Sequence, residues 1–190
     1  MKPTINFPKM ITKSSLPILF AVSMVGANIN AQATENIIMN TEMVTAFEQM
    51  QNKMELKELV DRFSTLSDTK SVQEQVMLFT EDALLETYRN GEKNSEIQGR
   101  DNIAERFTSF LDQFSTVYHQ SGQQIITELT ETTAKGTAYC LVVLIRENEG
   151  KTETLTQGVT YTDEFVKIDG KWMFAKRASN FTWATTDISE

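Results

Sequence analysis

Asp169-Gly170 constrains this chain more tightly than any other pair of residues. Both residues tolerate positive φ and stand between two strand-like runs, so they predict a two-residue β-hairpin. The run before them covers residues 152–168. The run after covers 171–178, with 179–184 as its continuation. Asn148-Glu149-Gly150-Lys151 reads as a further turn, preceded by a long apolar strand over 136–147 and another over 124–129. Consecutive strands joined by tight turns must pair antiparallel, so the second half of the chain predicts a meander.

The first half carries a different period. Over residues 41–66, apolar side chains recur at Met43, Val44, Phe47, Met50, Leu56, Leu59, Val60, Phe63 and Leu66, which is helical spacing. The stripe is thinner and Met-rich over 34–53, which predicts a separate N-terminal helical extension there. Ser71 and Glu74 stand as a capping box that opens a second helix, with Val72, Val76 and Phe79 as its buried stripe. A short strand over 83–88 ends at Asn90-Gly91. Gly99-Arg100-Asp101 then opens a third helix, with Asp101 near the N-cap. Ile103, Phe107, Phe110, Leu111 and Phe114 give that helix one strongly apolar face. Helices first and strands after imply an α+β fold: one curved antiparallel sheet wrapped around the N-terminal helices.

Residues 1–33 read as a secretory signal peptide. Lys2, Lys9 and Lys13 precede an apolar core over 16–27, which is too short to span a bilayer comfortably, and Ala31-Gln32-Ala33 supplies small residues at a cleavage site. The expected mature protein starts at Thr34 and resides in a bacterial periplasm or outside the cell. Those three lysines are the only charged residues of the leader. Its removal would therefore carry the net charge from −8 to about −11. Such a surface repels nucleic acid and anionic membranes, so neither is an expected partner. The expected division is 1–33 leader, 34–53 helical extension, 54–184 single domain and 185–190 tail. Cys140 is the only cysteine and sits in an apolar run, so it reads as a small buried hydrophobe. One His and one Cys do not build a zinc site, and no Ca²⁺ loop motif is present. No metal site of the usual kind is expected, although a Ca²⁺ site built of carboxylates alone stays open.

Several segments resemble the SnoaL-like branch of the nuclear-transport-factor-2-like superfamily. They are Leu59-Val60-Asp61-Arg62-Phe63 followed by Asp68, Leu78-Phe79-Thr80-Glu81-Asp82-Ala83, and Gln98-Gly99-Arg100-Asp101-Asn102-Ile103. Tyr118-His119, Gly158-Val159-Thr160-Tyr161-Thr162-Asp163, Asp169-Gly170-Lys171-Trp172 and Lys176-Arg177 complete the set. The resemblance covers about residues 54–184. It implies a conical cavity between sheet and helices, a small-molecule ligand or substrate, and no cofactor. In scytalone-dehydratase-like members, an Asp after the first helix and a His before the long strands do acid–base work. The matching residues here are Asp68 and His119. Phe63 stands where active members commonly carry Tyr, so a hydroxyl is missing there, and Tyr118, Tyr161 and Tyr88 are the candidates to supply one, none of which the sequence places.

Other candidates come from the strand pattern. Tyr161 and Asp163 share a strand face with Val159 and Phe165, and Tyr161 is the better cavity residue. Arg177 is placed to bind a substrate carboxylate, or to close a salt bridge within the sheet with Asp163 as its partner. Phe63, Tyr161 and Arg177 thus form the expected substrate-binding set. Glu86 is a second acid–base candidate if it faces inward, but Leu84-Leu85 breaks the alternation that would decide its face. Trp172 reads as core, and Trp183 as a cover for the cavity or a dimer face. Two functions are implied. One is a cofactor-independent dehydratase or isomerase using the Asp68–His119 pair. The other is a non-catalytic binding domain, or a dimeric scaffold, for a small hydrophobic ligand. A homodimer is expected because residues 139–145 carry more apolar side chains than one core face uses.

Overall fold

The computed structural model describes residues 18–189, with side chains over 32–189. The elements run α1 (Ile18–Asp68), α2 (Val72–Val76), β1 (Phe79–Arg89), β2 (Glu92–Gln98), α3 (Arg100–Leu111), β3 (Thr116–Leu129), β4 (Thr133–Asn148), β5 (Lys151–Ile168) and β6 (Lys171–Ser189). The chain divides into two units within α1, between Phe47 and Glu48. In the first unit the helix is exposed over 32–47, including Ile37, Met43 and Phe47. Most of the leader lies outside the residues whose side chains are described. No described helix is long and apolar enough to cross a membrane.

α1 is one helix rather than an extension followed by a second helix. No Gly or Pro interrupts residues 34–68, so nothing local stops the helix there. In the second unit Leu56, Leu59, Val60 and Phe63 are buried, at i, i+3, i+4 and i+7. The helix ends in a Schellman motif. Lys70 takes positive φ, the Ser71 N–H reaches the Leu66 carbonyl at 2.9 Å and the Lys70 N–H reaches the Ser67 carbonyl at 3.0 Å. Ser71 is the N-cap of α2, but no capping box forms. Its hydroxyl meets that of Thr69 at 3.0 Å, and the helix is only five residues long. Phe79 is fully buried at the start of β1 rather than on α2. Gly99, with φ 91°, is the N-cap of α3, so Asp101 sits inside the first turn.

Six strands form a curved, unclosed sheet in the order β2-β1-β6-β5-β4-β3. Every adjacent pair is antiparallel except β1 and β6, which run parallel. This departs from a purely antiparallel sheet. The meander β3–β6 starts at the far edge, and its last strand meets β1 in the same direction. Asp169 (φ 50°) and Gly170 (φ 76°) form the expected hairpin turn, and Glu149-Gly150 and Asn90-Gly91 repeat its signs. β2 was not expected, because its sequence is polar and almost wholly exposed. The expected tail is strand as well. β6 continues to Ser189, which pairs with Thr152.

Along β4 the alternation is clean. Ala138, Cys140, Val142 and Leu144 face the core, while Tyr139, Leu141 and Val143 face outward. Phe174 packs against both Phe79 and Phe165 in the core, with ring centroids 5.0 and 5.3 Å away. Trp172 is buried as well, with its indole N–H donating to Asn52 Oδ1 at 3.1 Å. Trp183 lies half-exposed against Gly158, where a Cβ would sit 2.1 Å from the indole nitrogen, so only glycine admits the ring there.

Candidate active site

The turn after α1 places the first site residue. Asp68 is the last residue of α1, and the Lys70 ammonium binds the Phe114 carbonyl just ahead of β3. This ties the end of the helix to the start of the strand that carries His119. The His119 Nδ1 lies 2.7 Å from Asp68 Oδ1. The imidazole is 8% exposed and the carboxylate 23%, so the pair is mostly shielded from water. When Nδ1–H donates to the carboxylate, Nε2 keeps its lone pair and becomes the basic nitrogen.

His119 lines a cavity of about 160 Å³ between the sheet and the helices. His119, Val142 and Gln157 form one row across β3, β4 and β5, so all three side chains share a face. Phe63, Leu85, Phe107, Leu144 and Tyr161 supply the apolar wall, and Ser67, Gln75 and Ser179 add polar points. Gln75 is buried. Its amide nitrogen donates to the Phe63 carbonyl at 3.0 Å, and its Oε1 has no partner.

Of the three candidate tyrosines, Tyr161 reaches the cavity. Tyr118 is exposed and Tyr88 donates to Glu86. Burial, with the neighbouring Cys140, raises the Tyr161 phenol well above its ordinary range, so it stays protonated and can donate. Burial likewise pushes the Cys140 thiol up to about 11, which makes it a poor nucleophile at neutral pH.

Arg177 is not on the cavity wall. It is 0% exposed, and its Nε and Nη2 each donate to Asp163 at 2.8 Å. Its guanidinium carbon lies 4.2 Å from the ring centres of Phe63, Tyr161 and Phe174. Of the two roles open in the sequence, the geometry matches the salt bridge. Arg177 is a pillar behind Phe63 and Tyr161, and its charge is committed before any ligand arrives.

Glu86 faces away from Leu85 and Thr87, which line the cavity. Burial would raise its carboxyl. Hydrogen bonds from Lys93, Lys176 and Tyr88 outweigh that and bring it down to about 2. It is an ion-pair hub, not an acid–base group of this cavity.

Gln75, Gln157, Arg89 and Arg106 were not anticipated as cavity residues. For Gln157 a signal existed. It lies two residues before Val159 on the inward face of β5, where a polar residue interrupts an apolar series. The arginines carried no such signal.

The SnoaL-like domain family matches residues 48–178, more than half of the chain. The chain belongs to the SnoaL-like family. Solved structures share its fold at low identity. A candidate scytalone dehydratase from Novosphingobium aromaticivorans is 23% identical, with TM-score 0.62, covering 72% of this chain and 88% of its own. A hexachlorocyclohexane dehydrochlorinase, LinA type 2, is 14% identical, with TM-score 0.63 and coverage of 73% and 90%. The beta subunit of a candidate aromatic-ring-hydroxylating dioxygenase from N. aromaticivorans is 16% identical, with TM-score 0.61 and coverage of 71% and 92%. No curated protein matches the chain. These likenesses agree with the α+β cone of this SnoaL-like domain and show the fold alone.

Proposed function

We propose that this SnoaL-like protein is a cofactor-independent lyase or isomerase acting on a small, partly apolar, oxygenated molecule. One observation carries the reading: the 2.7 Å contact between His119 Nδ1 and Asp68, with the imidazole on the cavity wall. His119 Nε2 takes a proton from a carbon beside the substrate carbonyl. In an elimination, the C–H electron pair forms the C=C bond. The neighbouring C–O bond breaks, and the imidazolium returns its proton to the departing oxygen, which leaves as water. In an isomerisation the same proton returns to a different carbon. Asp68 stabilises the imidazolium between the two steps. Tyr161, held as a phenol, donates to the carbonyl oxygen as negative charge develops there. Phe63 packs the apolar body and takes no proton, and Arg177 contributes by fixing both rings.

The names dehydratase and dehydrochlorinase, carried by two structural neighbours, both denote eliminations and support this reaction class. The test is turnover of a panel of β-hydroxy ketones, followed by enone absorbance. His119→Ala is expected to lower kcat/KM by roughly 10²–10⁴-fold, and Asp68→Asn to lower it with little change in KM. Binding without turnover across the panel, or an unchanged rate in His119→Ala, would leave a binding module and overturn the reading.

Two further parts of the proposal rest on other observations. The leader over 1–33 supports export, to a bacterial periplasm or beyond. The purified protein should then begin at Thr34 by intact mass, and a chain beginning at Met1 would count against export. The outward row on the sheet supports a homodimer.

A further inference from the structure

The geometry points to an anionic ligand, an apolar ring bearing a carboxylate or similar oxyanion that Arg89 and Arg106 hold at the cavity mouth. This rests on the reading above that the cavity takes a small molecule. Most lining residues are buried or half-buried. Arg89, Asn94 and Arg106 are exposed, so they mark the opening. They come from three elements, β1, β2 and α3, that converge on one side. Each guanidinium lies over an aromatic ring of the cavity, Arg89 at 5.6 Å from the Phe181 centre and Arg106 at 5.6 Å from that of Phe110. A guanidinium attracted to a ring in this way still has N–H groups free to bind a planar oxyanion.

Nothing among the described residues uses those N–H groups. Neither arginine side chain makes a hydrogen bond or an ion pair among the described residues. Arg146, Arg177, Lys93 and Lys176 are all paired elsewhere. Glu92 is the cross-strand neighbour of Arg89 and still forms no ion pair with it. The described lining holds these two arginines and no Asp or Glu, and Asp68 stands behind His119 rather than on the wall. In a chain of net charge −8, an opening with two uncommitted cations and no lining acid is a local reversal of sign. It draws in an anion that the rest of the surface repels.

Topology adds an orientation. β1 and β2 lie at one edge of the sheet and β3 at the other. A ligand anchored on Arg89 and Arg106 therefore lays its ring across Leu85, Leu144 and Tyr161 toward His119. The arginines are positioning residues for substrate, and the reacting carbon lies at the end of the molecule remote from its anion.

The test compares 2-naphthoate with neutral 2-naphthylmethanol by isothermal titration calorimetry at low salt, with benzoate and benzyl alcohol as a smaller pair. The acid is expected to bind about tenfold or more tighter than its alcohol, and added NaCl should weaken only the acid. The double variant Arg89→Gln with Arg106→Gln should lose that preference and keep its affinity for the alcohol. Both side chains are exposed, and circular dichroism verifies the fold of the variant. Equal affinities in the unmodified protein, or a preference that survives in the double variant, would overturn the anion inference and leave the cavity reading intact. Binding of none of the four probes would overturn both.

Discussion

Arg177 shows how much a single side chain's role depends on its neighbours. Its type and strand position allowed either a substrate contact or a bridge to Asp163. The fold gives it two 2.8 Å bonds to that carboxylate, complete burial and three flanking rings. Two charges removed from water hold each other only as a pair, so losing one strands the other. Asp163→Asn is expected to cost about 3–5 kcal/mol in urea denaturation. The double change Asp163→Leu with Arg177→Met should recover most of that, because no charge is then left unpaired. A loss below about 1 kcal/mol in the single variant would mean the pair is not the pillar described. Asp68 and His119 were singled out by the family resemblance, and the fold brings them to 2.7 Å of each other. Gln75 and the mouth arginines could not be singled out, since residue type does not say which way a polar side chain turns.

Elements were legible wherever the pattern was periodic or a turn demanded positive φ. Asp169-Gly170 and the apolar face of α3 are examples, and both followed from local backbone geometry. β2 was illegible because an exposed edge strand needs no apolar alternation; only pairing with β1 makes it a strand. Glu86 joins these elements, drawing in Lys93 of β2 and Lys176 of β6. Its folded carboxyl, at about 2, lies below the ordinary 4.5. The stability it contributes is therefore present above the unfolded value and lost as pH falls through the folded one. Glu86→Gln should be less stable than the unmodified protein by about 1–2 kcal/mol near neutrality, allowing for the partly exposed lysines. Thermal melts should show that gap closing between about pH 4.5 and 2. A gap that does not change with pH would assign the effect to packing instead.

At the scale of the molecule, the outward face of the sheet carries Tyr118, Tyr139 and Trp183, each about half exposed, beside Leu141 and Val143. Register sets Tyr118 opposite Val143, and Leu141 opposite Gly158, which bears the Trp183 ring. A contiguous apolar row of this kind suits a self-complementary contact. Sedimentation should give a dimer at micromolar concentration, and Tyr139→Glu should shift it to monomer with the fold intact. A monomer without the substitution would remove the dimer. By itself the sequence determined the α+β class, the hairpin turns, the shared face of Val159, Tyr161, Asp163 and Phe165 on β5, and the apolar face of α3. Those properties follow from local periodicity and backbone sterics. Only the tertiary structure decided the parallel β1–β6 pair, the burial of Arg177, the outward turn of Glu86 and the convergence of Arg89 and Arg106 on one opening. Each of these depends on contacts between residues far apart in the chain, whose relative placement no local pattern encodes.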